Sequence, residues 1–502
     1  MLFNSFEFLI FFPVIVIIYF LIPRKIRCFW LLAASYFFYM CWNVKYALLL
    51  FFSTFVTWIC GFILQTVSEK NWSPERILFY KKGCVAASFF LNLSILFFFK
   101  YFNFTVGNLN FLLDKIHTDF RLPVLDLILP VGISFYTFQA LGYTVDVYRQ
   151  EIEAEKNFFR YALFVSFFPQ LVAGPIERSK NLLLQLKNLD KLQVWNYERI
   201  RSGLSLMLWG FFQKLVIADR ISIVVKQVFD HYQEFGCVEL ACAAILFSFQ
   251  IYCDFGGYSN IAKGAAEVMG IQLMNNFRQP YFAQNIKSFW RRWHISLTSW
   301  FTDYLYIPLG GNRKGKTRQF ANILIVFLCS GLWHGANWTY VVWGLLHGCA
   351  QIAGSLNSGH SFPLRPKKHA VPAEKKTISG IGIRLLKTAF TFSLVTVFWV
   401  FFRADTMGQA LDYFVQCLRY RRLQSFTDMG LNPVNWYVLL ASLFLLLLVD
   451  ILHERGISLR QKIGSLNFLL RGILYLGAIW SVILFGIYGY QYDASQFIYF
   501  QF

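Results

Sequence analysis

An all-α, polytopic membrane protein is the fold class this sequence predicts, and three observations predict it. Hydrophobic residues make up 57% of the 502 residues and charged residues only 15%, against about 25% charged in soluble domains. Aromatic residues reach 20%, with 57 Phe, 26 Tyr and 15 Trp, and Trp and Tyr gather at membrane–water interfaces. The apolar residues also fall in runs approaching the roughly 20 residues that a helix needs to cross a bilayer. A soluble multidomain enzyme of this size is excluded for want of polar surface, and disorder and fibrous repeats are excluded with it.

Along the chain, the apolar segments are Phe6–Ile22, Trp30–Trp42, Tyr46–Leu64, Val85–Phe102, Leu127–Val147, Phe158–Val172, Leu204–Val225, Val238–Cys253, Phe320–Ser330, Trp338–Ala353, Ile383–Phe402, Trp436–Leu452 and Ile473–Gly489. Trp30–Trp42, Phe158–Val172 and Phe320–Ser330 are too short to cross alone and read as tilted or re-entrant pieces. The total is about 11–12 spans plus short pieces. The polar stretch Leu356–Ser379, with Pro363, Pro366 and Pro372, reads as a linker, and no soluble domain interrupts the chain. No internal repeat is visible, which argues against a secondary transporter.

Lys and Arg number 47 against 27 Asp and Glu, a net charge of +20. In a soluble protein that excess suggests nucleic-acid binding; here basic cytoplasmic loops account for it, so the partner implied is membrane lipid and not nucleic acid. The clusters Arg24-Lys25-Ile26-Arg27, Lys81-Lys82, Arg313/Lys314/Lys316/Arg318 and Arg365/Lys367/Lys368/Lys375/Lys376 are mutually consistent in the cytoplasm, with both termini outside. Arg419, Arg421 and Arg422 then fall outside, which requires either an interfacial helix there or one span miscounted. Ten cysteines lie scattered without a CxxC pair, so neither a zinc site nor a disulfide framework is expected. The N-terminus lacks the basic region and small-residue cleavage site of a removable signal.

Polar residues inside apolar sequence are the functional pointers in such a chain. In "FWRRWHISLTSWFTDYLYIPLGGNRKGK", residues 289–316, aromatic and basic residues surround His294. The Gly310-Gly311 turn lets backbone approach a ligand, and Arg and Lys suit phosphates, such as those of coenzyme A or phosphopantetheine. A cytoplasmic loop with an amphipathic interfacial helix accounts for the same composition. In "SGLWHGANWTYVVWGLLHG", residues 330–348, His334 lies at the edge of an apolar stretch and His347 inside the next. A neutral imidazole can take a proton from a hydroxyl; a packing histidine is the alternative, and the stronger one for His347. Gly331, Gly335 and Gly344 make room either for substrate or for close helix packing. Further polar groups, namely Asp254, Tyr258, Asn260 and Lys263, Glu177 and Arg178, Lys214 and Asp219, and Gln139 and Asp146, read singly as bonds within a bundle and together as a water-accessible cavity or tunnel. There is no HExxH, Walker loop or GxSxG elbow. His294 and His334 lack the spacing and carboxylate company of a local metal site, so no metal is expected.

With these strings in hand, the sequence resembles the membrane-bound O-acyltransferase (MBOAT) family, in the bacterial branch typified by the alginate O-acetylation protein. The resemblance rests on "MLFNSFEFLIFFPV", "LPVGISFYTFQALGYTVDVYR", "FFPQLVAGPIER", "IYCDFGGYSNIAKGAA", "NFRQPYFAQNIKSFWRRWHISLTSWFTDYLYIPLGG", "GLWHGANWTYVVWGLLHG" and "FIYFQF", and runs through nearly the whole chain. It implies a bowl of helices around a tunnel, in one membrane domain over 1–502. The catalytic core would span about 127–355, the cytoplasmic linker about 356–380 and the C-terminal helices 381–502. It implies a bacterial cytoplasmic-membrane enzyme with no bound cofactor. The enzyme would take acetyl from acetyl-CoA, or from a carrier-protein thioester, for O-acetylation of an exported polysaccharide such as alginate.

The same resemblance implies His334 as the catalytic histidine and His294 as the second histidine of this branch. Arg291, Trp293, Asp303, Asn312, Arg313, Lys314, Trp333, Asn337 and Trp338 become candidate donor-binding or tunnel-lining residues. It implies an extracytoplasmic SGNH-hydrolase-like acetyltransferase as partner. General-base catalysis and an acyl-histidine intermediate both remain open. Two other functions fit less well: D-alanyl transfer to teichoic acid from a carrier protein, and a non-catalytic polysaccharide exporter.

Overall fold

Among the residues described by the computed structural model, 1–193, 195–358, 378–420 and 426–488, all regular elements are helical. Most of the proline-bearing linker with Arg365, Lys367, Lys368, Lys375 and Lys376, then Arg421 and Arg422, and the C-terminal "FIYFQF" string, lie outside the described residues.

Among the described residues, six helices are long and apolar enough to cross a membrane: Val44–Ser68, Pro74–Lys115, Cys237–Met269, Gly380–Arg403, Pro433–Glu454 and Phe468–Phe485. Phe6–Leu21 is apolar but shorter. Gly315–His334 and Trp338–Ser358, of 20 and 21 residues, have the length, and their polar residues keep them outside that strictly apolar set. Met407–Arg419, which ends on one of the arginines that fit the charge pattern badly, has 13 residues. That is too short to span. Its exposed apolar residues Leu411, Val415 and Leu418 recur at helical spacing and alternate with the polar Gln409, Asp412, Gln416 and Arg419, the amphipathic pattern of an interfacial helix.

The chain forms two compact units, Met1–Leu204 with Ala262–Met274, and Ser205–Ile261 with Asn275–Phe502. In the first, Ile133–Tyr148 is buried along almost its whole length. Its polar residues are answered locally. Gln139 donates to the Phe164 carbonyl (2.6 Å) and accepts from Gln170 (3.1 Å), and Asp146 accepts the Ser179 hydroxyl. The apolar segment Phe158–Val172, expected as one tilted or re-entrant piece, is divided: helix Phe158–Ser166 stops at Phe167, and Phe168–Leu171 restarts with Pro169 in its first turn, where a missing N–H costs nothing. Beyond it, the buried Glu177 carboxyl accepts from the Asn181 side chain (2.7 Å) and the Met274 backbone N–H.

In the second unit, Gly210 and Gly257 let helices Tyr197–Phe211 and Cys237–Met269 meet backbone to backbone. A Cβ on Gly210 would lie 2.6 Å from the Gly257 carbonyl oxygen. Just beyond this crossing the first helix widens into a π turn, Phe212–Ala218, a form frequent at functional sites. There the buried Lys214 ammonium reaches Asp254 (2.6 Å) and Asp219 (2.8 Å). Asn260 donates to Gln213 at 2.7 Å. The polar residues singled out in sequence thus lie largely in internal networks within each unit.

Candidate active site

His334 and His294 reach one another from sequence positions forty residues apart within the second unit. His334 is the last residue of helix Gly315–His334, where the chain turns through 335–337 into Trp338–Ser358. The helix breaks immediately after this histidine, with His334 itself still helical. The two helices pack closely because their facing residues are glycines. A Cβ on Gly331 would sit 2.2 Å from the Tyr340 carbonyl oxygen, and one on Gly344 2.3 Å from that of Phe327. Of the two uses open to these glycines, close helix packing is the one realised.

His294 precedes the short helix Ile295–Phe301 with φ +42° and ψ +53°, a left-handed conformation uncommon for residues other than glycine. The surrounding chain over-determines it. Arg278 N–H donates to the Arg292 carbonyl and Ile295 N–H to the Asn276 carbonyl, each at 2.9 Å. The buried Asn276 side chain accepts from Ser296 (2.6 Å) and donates to Ser259 (3.0 Å). Held non-glycine residues of this kind cluster at functional sites.

The imidazoles of His294 and His334 are both buried, with ring centroids 6.2 Å apart and planes at 65°. Aromatic rings wall them. Phe255 lies 4.7 Å from His294, and Trp333 lies 5.7 Å from His294 and 4.9 Å from His334. Trp343 and Phe402 each lie 5.2 Å from His334. Trp293 stacks away from this pair on Phe289, 5.4 Å, and meets Trp399 at 5.1 Å. His347 belongs to the outer layer. Its Nδ1 accepts the Trp290 indole N–H at 3.2 Å, and its ring lies 4.9 Å from Trp343, so it props the wall of the site.

The remaining candidates occupy other places. Arg291 is half-buried on the turn before His294, and Asp303 is half-buried on the π turn Thr302–Tyr306. Asn312, Arg313 and Lys314 are exposed in the basic turn, which Asn322 pins by donating to the Gly311 carbonyl at 2.9 Å. Asn337 is turned to structural use: its amide donates to the Asp405 carbonyl (2.8 Å) and its oxygen accepts from Thr339 N–H (3.1 Å). Trp338 is 53% exposed. The tryptophans of this string that lie against His334 are the candidate Trp333 and, five residues beyond Trp338, Trp343. Asn276, Trp343, Trp399 and Phe402 were not singled out by sequence reasoning. Two of them carried a signal: Trp343 lies inside the glycine-rich histidine string, and Asn276 opens the string that contains His294. Among the described residues no cluster of His, Cys, Asp and Glu could hold a metal ion.

Residues 147–361 match the family described as MBOAT, membrane-bound O-acyltransferase. The chain is 36% identical over 439 residues to a protein named probable alginate O-acetylase of Pseudomonas putida, covering 87% of this chain and 82% of the relative. It is 37% identical over 406 residues to a peptidoglycan O-acetyltransferase of Helicobacter pylori, covering 76% and 72%. Similarity to a teichoic acid D-alanyltransferase of Streptococcus thermophilus is lower and partial: 28% over 236 residues, or 44% of this chain and 56% of that protein. The apolar helices and the likeness over most of the chain agree: the chain belongs to the membrane-bound O-acyltransferase family, in its alginate O-acetylase-like branch, and is a multi-pass O-acyltransferase of the bacterial cell membrane.

Proposed function

We propose that this enzyme takes acetyl from acetyl-CoA on the cytoplasmic face and passes it outward for O-acetylation of an exported polysaccharide, alginate or a similar polymer. An extracytoplasmic SGNH-hydrolase-like transferase would complete the modification. The observation that carries the reading is the pair of buried imidazoles, centroids 6.2 Å apart inside an aromatic wall. Likeness over most of the chain to proteins named for polymer O-acetylation supports acetyl as the group moved, and the D-alanyl relative matches less than half of the chain.

In this mechanism His334 is the base. It takes the proton of an incoming hydroxyl as the hydroxyl oxygen attacks the acetyl carbonyl carbon. The carbon–sulfur bond breaks, and the proton passes to the departing thiolate. A positioned base contributes typically about 10²–10⁴-fold. His294 orients the thioester or relays the proton. The aromatic wall keeps water from the thioester and so suppresses hydrolysis. The exposed Arg313 and Lys314 suit the donor's phosphates, with Arg291, Asp303 and Asn312 on the same stretch. The chemistry falls within residues 127–355, the catalytic core of a single membrane domain.

The reading is tested in membrane vesicles supplied with radiolabelled acetyl-CoA and, separately, with a D-alanyl carrier protein. Label moving from acetyl-CoA to a hydroxyl acceptor only when this chain is present is the expected result; transfer from the D-alanyl carrier alone contradicts it. Acid quenching of the same reaction separates the two mechanisms, because an acyl-histidine route leaves label on the protein and direct attack does not.

A further inference from the structure

The turn that carries His294 is held from outside the histidine strings, by a helix 140 or more residues further along the chain. Two residues of helix Pro433–Glu454, Asp450 and Glu454, are one turn apart and so share a face. Glu454 forms a bidentate pair with Arg292, 2.7 and 2.9 Å, the geometry in which Arg–carboxylate pairs are most directional. The same guanidinium donates to the Gln279 carbonyl at 3.2 Å, and the Arg292 carbonyl accepts from Arg278 N–H. The buried Asp450 accepts from the Tyr252 hydroxyl at 3.0 and 3.3 Å. The Tyr252 ring in turn meets Phe277 (5.6 Å) and Trp293 (6.4 Å). The two residues immediately before His294 are therefore held by one helix face, Arg292 directly and Trp293 through Tyr252.

We propose that the Asp450–Glu454 face is a positioning element for the acyl-transfer site: it fixes the Arg292–Trp293–His294 turn and with it the direction in which His294 meets His334. Glu454 and Arg292 are positioning residues, acting through His294. The inference rests on the assignment of His294 to the reaction. It follows that the C-terminal helices are part of the catalytic apparatus as well as membrane anchorage.

The test uses the full chain in membranes, with acetyl-CoA as donor, and compares wild type, Glu454→Ala, His294→Ala and the double variant. Glu454→Gln is carried alongside, in case the alanine variant fails to insert. Misplacement of a reacting group by about 1 Å costs about a hundredfold. The expected result is that Glu454→Ala lowers kcat by about ten- to a hundredfold, with donor KM and detergent-extracted thermal stability near wild type. Glu454→Gln, which keeps a hydrogen-bonding oxygen, falls between. In the His294→Ala background the same change should cost nothing more. The charge-swapped pair Arg292→Glu with Glu454→Arg should recover part of kcat. Wild-type kcat in both Glu454 variants overturns the proposal, as does a fall in stability or a rise in KM that accounts for the lost rate. An equal loss with and without His294 overturns it too. If His294→Ala is itself fully active, the assignment of His294 fails instead, and the two failures are thereby told apart.

Discussion

His347 accepts a hydrogen bond from the Trp290 indole at 3.2 Å, whereas His294 and His334 face one another across 6.2 Å, which sets His347 apart from the facing pair that we propose carries the reaction. The strings around His294 and His334 singled both out in sequence through their resemblance to the family, since the residues alone left a packing histidine open, and the structure brings the two rings together. Glu454 was not legible, because its partner Arg292 lies 162 residues away and nothing local to either residue records the pairing. Glu177 offers a residue-scale prediction. Burial pushes its carboxyl up to about 7, against the opposing bonds from Met274 and Asn181. A carboxyl whose folded pKa is raised favours the folded state while protonated. Its contribution is complete below the ordinary carboxylate range and is lost as pH rises through about 7. Thermal unfolding in detergent should therefore show stability declining between about pH 4.5 and 7, and Glu177→Gln should flatten that decline. An unchanged slope in the variant would refute the assignment.

At the scale of elements, the hairpin Gly315–His334/Trp338–Ser358 sets where His334 stands. Gly344 faces the Phe327 carbonyl so closely that a Cβ would lie 2.3 Å from it, and backbone cannot yield as a side chain can. Gly344→Ala is predicted to cost about 1–3 kcal/mol, the usual range for overpacking, or more. It should also lower activity per folded molecule, as His334 shifts with its helix; thermal denaturation and transfer assays on the same preparation check both. Long apolar elements such as Val44–Ser68 were legible from hydropathy. Others were read short. Val238–Cys253 is in fact Cys237–Met269, because Asp254, Ser259, Asn260 and Lys263 interrupt the apolar run without interrupting the helix. Phe320–Ser330 is Gly315–His334, because exposed Lys316, Thr317 and Arg318 open the helix and buried His334 closes it. Polar residues answered within the protein leave hydropathy low while the backbone stays helical. The same property that marks a site therefore hides the element bearing it.

For the whole molecule, charge predicts orientation. The turn Asn312–Lys316 is exposed and should face the cytoplasm, where acetyl-CoA is found. In right-side-out vesicles, Asn312→Cys should resist a membrane-impermeant thiol reagent above the wild-type background, and should react in inverted vesicles. Labelling from outside would reverse the topology and move the proposed donor surface to the wrong face. Fold class and family were readable from the sequence as a whole, and so were the two histidines the structure places face to face; the wall of Trp343, Trp399 and Phe402 was not, because it is assembled from helices distant in sequence. The central claim is that, of the buried histidines 294, 334 and 347, the first two carry the reaction. Its most direct test is acetyl transfer from labelled acetyl-CoA by His334→Ala, His294→Ala and His347→Gln at matched levels of inserted protein. The account predicts loss of transfer for His334→Ala, a fall of about 10²-fold or more for His294→Ala, and retained measurable transfer for His347→Gln; an active His334→Ala enzyme would contradict it.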